Sequence, residues 1–350
     1  MSEITPITKQ ANRNYSMDIL RILAILIVIL LHVSYPFWDN AFSSNQWIKA
    51  LFPDAISRWG VPVFVMISGA FMLQKEVSLK VLWTKYIKRL AILLVCWNVI
   101  YHIPDFKSMS FSVKEIIAIF FSSGDGYHLW FLYMLISIYV IIPILKRIVD
   151  GGLTKYVLLL WFCTSILFFW FVKSNTFTYL QTYLLNFPFS IDYVGFFLLG
   201  YFLYKQIILT KKQRMIIYIL GLCSLILMVL GTYCISMLAG RNMYYFLENL
   251  SICNVLVAIA LFVFFRYFDF DGSIFCKGKK IIASLSNLTL GVYLIHVLVL
   301  NILYHYFPID YYVQWDATIA IPIIWLSTTI ISFAISFILS KIPVINILVK

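Results

Sequence analysis

Three ionisable side chains lie in the first apolar segment of the chain: Asp18, Arg21 and His32. That segment is long and apolar enough to span a membrane, where each charged or titratable side chain is costly. At about 100° per residue, Arg21 and His32 fall within about 20° of each other on a helix, and Asp18 lies within about 40° of His32. The spacing therefore predicts a polar stripe on one face of the first helix.

The residues of this stripe leave two kinds of chemistry open. His32 could act as a base or a nucleophile, with Arg21, about 16 Å away along the helix, binding a phosphate-containing donor. Alternatively, Asp18, Arg21 and His32 could relay protons in a proton-coupled transporter. A structural interpretation, in which Asp18 pairs with Arg21 and His32 bonds a neighbouring helix, explains each residue separately but not their shared face.

The composition predicts an all-α, polytopic integral membrane protein. Of its 350 residues, 62% are hydrophobic and 12% are charged, and the mean hydropathy is +0.92. Apolar segments separated by short polar loops predict about ten transmembrane helices. The segments are residues 16–37, 58–74, 87–105, 127–145, 154–173, 184–204, 214–237, 250–268, 282–305 and 317–340. Residues 39–57 are polar enough to be predicted as an aqueous outer loop.

The basic residues are distributed unevenly between alternate loops. With the N-terminus placed inside, 21 of the 27 Lys and Arg residues lie on the cytoplasmic side and 6 lie on the other side. This asymmetry follows the positive-inside rule and predicts that both termini are cytoplasmic. It also explains the net charge of +12 without a nucleic-acid partner, so the lipid bilayer is the partner that we expect.

We expect residues 1–350 to form a single membrane-embedded domain with no appended soluble domain. The first apolar segment is too long for the core of a signal peptide. The chain contains no HExxH, CxxC, P-loop or GxSxG motif, so we expect neither a metal site nor a nucleotide-driven pump. Five of the six cysteines lie in apolar segments, where they are interpreted as packing residues.

A basic cluster precedes the third predicted helix on the predicted cytoplasmic side. Lys85, Lys88 and Arg89 lie within one and a half helical turns. Such a cluster can bind phosphates. It can equally be a topology determinant attracted to anionic lipid headgroups.

Further candidate residues lie on the predicted outer side, and they would face the acceptor of a transferred group. They are Arg58, His128, Trp130, Glu248 and His296. Because His128 and His32 are predicted on the same side, one outward-facing pocket could contain both. Glu248 lies among tyrosines, a setting typical of sugar-binding surfaces and also of membrane interfaces. His296 is a further imidazole at membrane depth.

Arg13-Asn14, Asp18, Arg21 and His32 form an Arg-x10-His pattern with a preceding Asp. In this pattern the chain resembles the acyltransferase type 3 family of integral-membrane O-acyltransferases. The resemblance continues, in order, through motifs that cover essentially the whole chain. They are Arg58-Trp59-Gly60-Val61-Pro62-Val63-Phe64 with Ser68-Gly69, the basic segment leading into the third helix, His128-Leu129-Trp130-Phe131-Leu132-Tyr133 with Pro143, Phe196-Phe197-Leu198-Leu199-Gly200-Tyr201, and Gly291-Val292-Tyr293-Leu294-Ile295-His296.

The resemblance implies that an acyl group, usually acetyl, is transferred from cytoplasmic acyl-CoA to a hydroxyl group at the outer face of the bacterial cytoplasmic membrane. The acceptor would be a carbohydrate, a glycolipid or another hydroxyl compound. Acetyl-CoA would be a co-substrate, and no bound cofactor is implied. An exporter of polysaccharide or of a small molecule, built on the same fold, is the alternative that we keep open.

The resemblance also implies roles for individual residues. His32 would be the general base or a transient acyl carrier, with Arg21 contacting the donor and Asp18 completing the catalytic group. The donor phosphates would be bound by Arg13, Lys85, Lys88 and Arg89. The sequence departs from the Arg-x-x-Arg pair of the family, because Tyr86 stands three residues before Arg89. Lysine side chains cannot reproduce the bidentate fork of the missing arginine.

Overall fold

The computed structural model describes residues 13–39, 42–103, 112–113, 126–167, 191–306 and 315–349. Every regular element in these ranges is a helix, as the sequence predicts. The main helices, in chain order, are α1 (Tyr15–Asp39), α2 (Asn45–Ser57), α3 (Gly60–Met72), α4 (Lys88–Tyr101), α5 (Trp130–Val140), α6 (Ile142–Asp150), α7 (Thr154–Trp161), α8 (Ile191–Tyr201), α9 (Lys211–Ala239), α10 (Ile252–Arg266), α11 (Lys279–Tyr306) and α12 (Ala317–Lys341).

Several of these helices fit a multi-pass membrane protein. In the described ranges, five helical segments are long and apolar enough to cross a membrane. They are Tyr15–Asp39, Asn45–Met72, Lys211–Ala239, Ile274–Tyr306 and Ala317–Lys341. A sixth results if the consecutive helices Tyr127–Val140 and Ile142–Asp150, which meet at 53°, form one bent span. The number of ten spans and the cytoplasmic location of both termini stay predictions.

Helix α1 lies inside the bundle and packs against α2, α3, α10, α11 and α12. Its polar stripe faces α11. The Ser286 hydroxyl of α11 donates a hydrogen bond to Asp18, and the His296 ring of α11 contacts His32. The stripe therefore lies in the protein interior, where α11 supplies partners that lipid would not.

The prediction of an aqueous loop at residues 39–57 is wrong, because most of it forms α2. Ser44 caps the helix by accepting a hydrogen bond from the Trp47 amide, and the Trp47 ring is completely buried. The polar residues that suggested a loop bind neighbouring elements instead: Lys49 pairs with Asp316, at the start of α12.

The hydrogen bond from Lys49 lowers the pKa of Asp316 to about 2. The pair thus stabilises the fold above pH 3.8, the ordinary pKa of the carboxyl, and this contribution is lost as the pH falls towards 2.

Glycines let α3 and α8 pack backbone against backbone. A Cβ atom on Gly69 would lie 1.9 Å from the carbonyl oxygen of Phe197, and one on Gly200 would lie 2.0 Å from that of Met66. No side chain fits at either position unless the helices separate. This contact fixes the position of α3, which carries Phe64 and Ser68 into a cavity described below.

Replacing Gly200 with Ala should therefore lower the melting temperature measured in detergent. The new methyl group meets backbone atoms, which cannot rotate away, so we expect a loss of about 1–3 kcal/mol of stability. Gly278→Ala is the matched control, because its Cβ would meet nothing closer than 3.8 Å. An unchanged melting temperature for Gly200→Ala would contradict the close packing of α3 and α8.

Candidate active site

A cavity of about 400 Å³ lies beside Arg21; we call it the Arg21 cavity. Three cations line it: Arg21 from α1, Lys85 from the turn that precedes α4, and Arg89 from α4. The described lining residues include no carboxylate. The rest of the lining is aromatic, aliphatic or neutral and polar, and consists of Phe64, Ser68, Tyr86, Leu90, Phe131, Leu135, Tyr139, Ser286, Asn287, Thr289, Leu290 and Tyr293. The cavity is therefore suited to an anionic ligand with an apolar portion.

Asp18 holds the start of α1 against α11. Its buried carboxylate accepts hydrogen bonds from Arg13 Nε at 2.5 Å and from Ser286 Oγ at 2.6 Å. Arg21 Nη1 lies 4.0 Å from the same carboxylate. Asp18 and His32 are fourteen residues apart, which is about 21 Å along the helix axis. The Asp18 carboxylate is therefore too far from the imidazole to take part in its catalytic chemistry. Asp18 instead positions and partly neutralises Arg21.

Arg13 belongs to the same network. Its Nη2 donates to the Ala283 carbonyl at 3.1 Å and to Asn287 Oδ1 at 3.0 Å. Arg13 does not line the Arg21 cavity, although the resemblance implied a role in donor binding. In the structure it joins α1 to α11.

The predicted basic cluster divides in the structure. All three side chains are exposed, but only Lys85 and Arg89 line the Arg21 cavity, and Lys88 lies outside it. Residues Leu82–Ile87 form a π-helical turn, in which backbone bonds span five residues instead of four, so the expected helical spacing does not hold there. Tyr86, which replaces the arginine of the family pattern, also lines the cavity.

A second cavity, of about 510 Å³, lies beside His32; we call it the His32 cavity. Its lining residues are Leu31, His32, Tyr35, Pro36, Arg58, Tyr127, Leu300, Asn301 and Tyr304. Arg58, predicted on the acceptor side, thus lies in the same cavity as His32. Its Nε and Nη2 atoms donate to Asp54 Oδ2 at 3.0 Å and 2.6 Å, so a completely buried carboxylate balances its charge.

His32 forms a pair with His296. Nδ1 of His32 lies 2.7 Å from Nε2 of His296, and Nδ1 of His296 lies 2.6 Å from the carbonyl oxygen of Tyr293. His296 is completely buried, so its ring lies behind that of His32 and does not line the cavity.

The other predicted acceptor-side residues lie elsewhere. His128 does not share the His32 cavity as expected; it is completely buried, with its ring centre 5.2 Å from that of His296. Trp130 packs on Tyr193 at 5.4 Å, and Glu248 lies in the turn before α10. Neither of these two lines a described cavity. The described residues contain no cluster of three side chains that could hold a metal ion.

Sequence reasoning missed several polar lining residues: Tyr139 and Tyr293 of the Arg21 cavity, and Tyr35, Tyr127, Asn301 and Tyr304 of the His32 cavity. A helical signal was available for some of them. Tyr35 follows His32 by three residues and therefore shares its face. Tyr293 precedes His296 by three residues in one of the motifs quoted above.

On α11, the nearest lining residues of the two cavities are Tyr293 and Leu300, about 10.5 Å apart along the helix axis, and His296 lies between them. Tyr293 lines the Arg21 cavity, and three residues later, about 4.5 Å along the helix axis, His296 bonds to the His32 ring. Along α11, the His32–His296 pair therefore lies between the lining residues of the two cavities.

Replacing Asp18 with Ala should destabilise the protein by about 2–3 kcal/mol, because Arg13 and Arg21 lose their shared counter-charge. We place the effect below the range of about 3–5 kcal/mol for buried pairs, since Arg13 is 35% exposed. Asp271→Ala is the control, because Asp271 pairs with Lys279 at the surface with 80% of its side chain exposed. Equal melting temperatures for the two variants would show that Asp18 does not hold α1 in place.

Comparisons with known proteins identify the family of the chain. A family model described as an acyltransferase domain matches residues 14–341, nearly the whole chain, including Arg21, His32 and His296. No curated protein and no solved structure matches it. The chain belongs to the acyltransferase type 3 family.

Proposed function

We propose that this protein is a membrane-bound O-acyltransferase that transfers an acyl group, with acetyl expected, from acyl-CoA to a hydroxyl of a carbohydrate, a glycolipid or a related acceptor. The observation that carries the proposal is the pair of cavities: one is lined by cations, the other contains His32, and the His32–His296 pair lies between their lining residues on α11. Membership of the family supplies acyl transfer as the reaction class. No observation favours the transporter alternative.

The Arg21 cavity is the proposed donor site. Arg21, Lys85 and Arg89 provide positive charge for phosphate groups. A cavity of about 400 Å³ accommodates the pantetheine arm and a short acyl group, so the nucleotide would lie at the mouth, near the exposed Lys85 and Arg89. The distance from Arg21 to His32 along α1, about 16 Å, is comparable to the reach of a pantetheine arm.

The His32 cavity is the proposed acceptor site. Its tyrosines and Asn301 provide aromatic faces and hydrogen-bonding groups, which suit a hydroxylated ring. Since Asp54 balances the charge of Arg58, the site does not require an anionic acceptor.

The chemical step needs a base more than it needs an activated donor, because a thioester is already reactive. His32 would remove the proton from the acceptor hydroxyl. The oxygen then attacks the thioester carbonyl, a C–O bond forms, the C–S bond breaks, and CoA leaves as its thiol after taking up a proton. Exclusion of water from the two cavities would limit hydrolysis of the thioester.

The proposed location is the bacterial cytoplasmic membrane, with the Arg21 cavity open to the cytoplasm and the His32 cavity to the outer side. The charge asymmetry of the loops supports this orientation. The grouping of residues in the two cavities agrees with it, since Lys85 and Arg89 line the same cavity as Arg21, and Arg58 lines the same cavity as His32.

Replacing Lys85 or Arg89 with Ala should raise KM for acetyl-CoA about tenfold to a hundredfold, with a smaller change in kcat. Each variant loses one charged hydrogen bond to a phosphate, of about 1.5–3 kcal/mol. The matched control is Lys88→Ala, which removes an equal charge from the same segment but outside the cavity. If all three variants changed KM equally, the cluster would act only through its net charge, and the proposed donor site would be wrong.

Replacing His32 with Ala should abolish acyl transfer, with a loss of at least about 100-fold in kcat and little change in acetyl-CoA binding. Purified protein in lipid vesicles would be incubated with acetyl-labelled acetyl-CoA and candidate acceptors, and labelled product, labelled protein and free CoA would be measured. His305→Ala, at an exposed position near the end of α11, is the control.

Label bound to the wild type but absent from His32→Ala would identify His32 as an acyl carrier. Transfer that needs His32 without labelled protein would identify a base. Undiminished transfer by His32→Ala would refute the proposed function of the site.

A further inference from the structure

The contact between His296 and Tyr293 fixes the protonation of the His296 ring. Nδ1 of His296 lies 2.6 Å from the Tyr293 carbonyl oxygen. A carbonyl oxygen only accepts hydrogen bonds, so Nδ1 must carry the proton. Among the described residues, no carboxylate hydrogen-bonds to His32 or His296, so nothing compensates a buried charge, and the resting pair is neutral. Nε2 of His296 therefore carries a lone pair and can only accept.

The contact between the two rings then fixes the protonation of His32. The two ring planes are nearly parallel, differing by only 6°. The ring centres are 4.9 Å apart, and the 2.7 Å between the facing nitrogens lies along the line that joins the centres. The rings thus meet edge to edge in a common plane, which is the geometry of an N–H···N hydrogen bond. Because Nε2 of His296 accepts, Nδ1 of His32 must donate.

We propose that His296 is a positioning residue that holds His32 in its Nδ1–H tautomer and so leaves Nε2 of His32 as the basic atom of the His32 cavity. This inference rests on the proposed function. His32 lines the cavity, and Nε2 lies across the ring from the nitrogen that is bonded to His296. The tautomer is set by a backbone carbonyl of α11, through two consecutive hydrogen bonds.

The same contacts stabilise His32 after proton transfer. The proton of the acceptor hydroxyl moves to Nε2 of His32, and the ring becomes an imidazolium with two N–H groups. Nδ1–H continues to donate to Nε2 of His296, while Nδ1–H of His296 stays bonded to the Tyr293 carbonyl. His296 thus has the role of the aspartate in a Ser-His-Asp triad, which orients the imidazole and stabilises its charged form. A neutral ring performs this role without placing a negative charge at membrane depth.

The direct test is the nitrogen NMR spectrum of the full chain in lipid vesicles, with ¹⁵N-labelled histidine. The chain has five histidines, and comparison with His32→Gln assigns the His32 signals. We expect Nδ1 of His32 to be protonated and Nε2 to be unprotonated, the opposite of the tautomer that histidine prefers in water. A protonated Nε2 on the neutral ring would overturn the inference without any variant at position 296.

Two variants at position 296 test whether the tautomer of His32 affects the rate of acyl transfer. His296→Leu removes the acceptor, and we expect kcat to fall by about two orders of magnitude or more while KM for acetyl-CoA stays within about twofold. In His296→Gln, the amide oxygen can accept from Nδ1 of His32 and the amide nitrogen can donate to the Tyr293 carbonyl, so kcat should stay within about tenfold of the wild type. His305→Leu, at an exposed position of the same helix, controls for loss of a histidine.

The outcomes separate this inference from the proposed function. Transfer by the wild type together with an unchanged kcat in His296→Leu would refute the positioning role only. A wild type that transfers no acyl group from acetyl-CoA to any acceptor would refute the proposed function. A His296→Gln variant as inactive as His296→Leu would show that the ring shape, not the hydrogen bond, is required, and would also refute the positioning role.

Discussion

The structure depends on placing three ionisable side chains on one face of α1 within the protein: Asp18 is buried, and Arg21 and His32 line cavities. In lipid, each of them would be costly, so the face must meet protein along its whole length. Helix α11 meets that requirement by binding Asp18 through Ser286 and His32 through His296. Between these two contacts the helices leave room for the Arg21 cavity. The groups that join α1 to α11 are thus also the groups that border the candidate site.

The two cavities separate the cations that would bind the donor from the histidine that would react. Positive charge is concentrated beside Arg21, and the titratable ring lies at the far end of the same stripe, beside a cavity whose arginine is neutralised by Asp54. A donor with phosphates at one end and a thioester at the other would match this polarity. Its charged part would stay at the mouth of one cavity, while its reactive part would approach the turn of α11 that carries His296, between the two cavities.

The parts of the site that follow from local spacing could be predicted from the sequence. The shared face of Asp18, Arg21 and His32 follows from the helical period, because α1 is one continuous helix. The position of Lys88 could not be predicted, since the π-helical turn before α4 changes the spacing of the basic cluster. Helix α2 could not be predicted from its polarity, because its polar residues bind protein partners instead of water. The pairing of His32 with His296 joins residues 264 positions apart and depends on the register of two packed helices, which no local pattern contains.

The central claim is that the donor enters from the side of Arg21 and the acceptor from the side of His32. Membrane vesicles prepared in both orientations test it most directly, with membrane-impermeant acetyl-CoA that carries a labelled acetyl group added outside. We expect labelled carbohydrate or glycolipid to form only in inverted vesicles, in which the proposed donor side faces the added acetyl-CoA, and the label to appear on the enclosed side. Labelling in right-side-out vesicles, or equal labelling in both orientations, would contradict it.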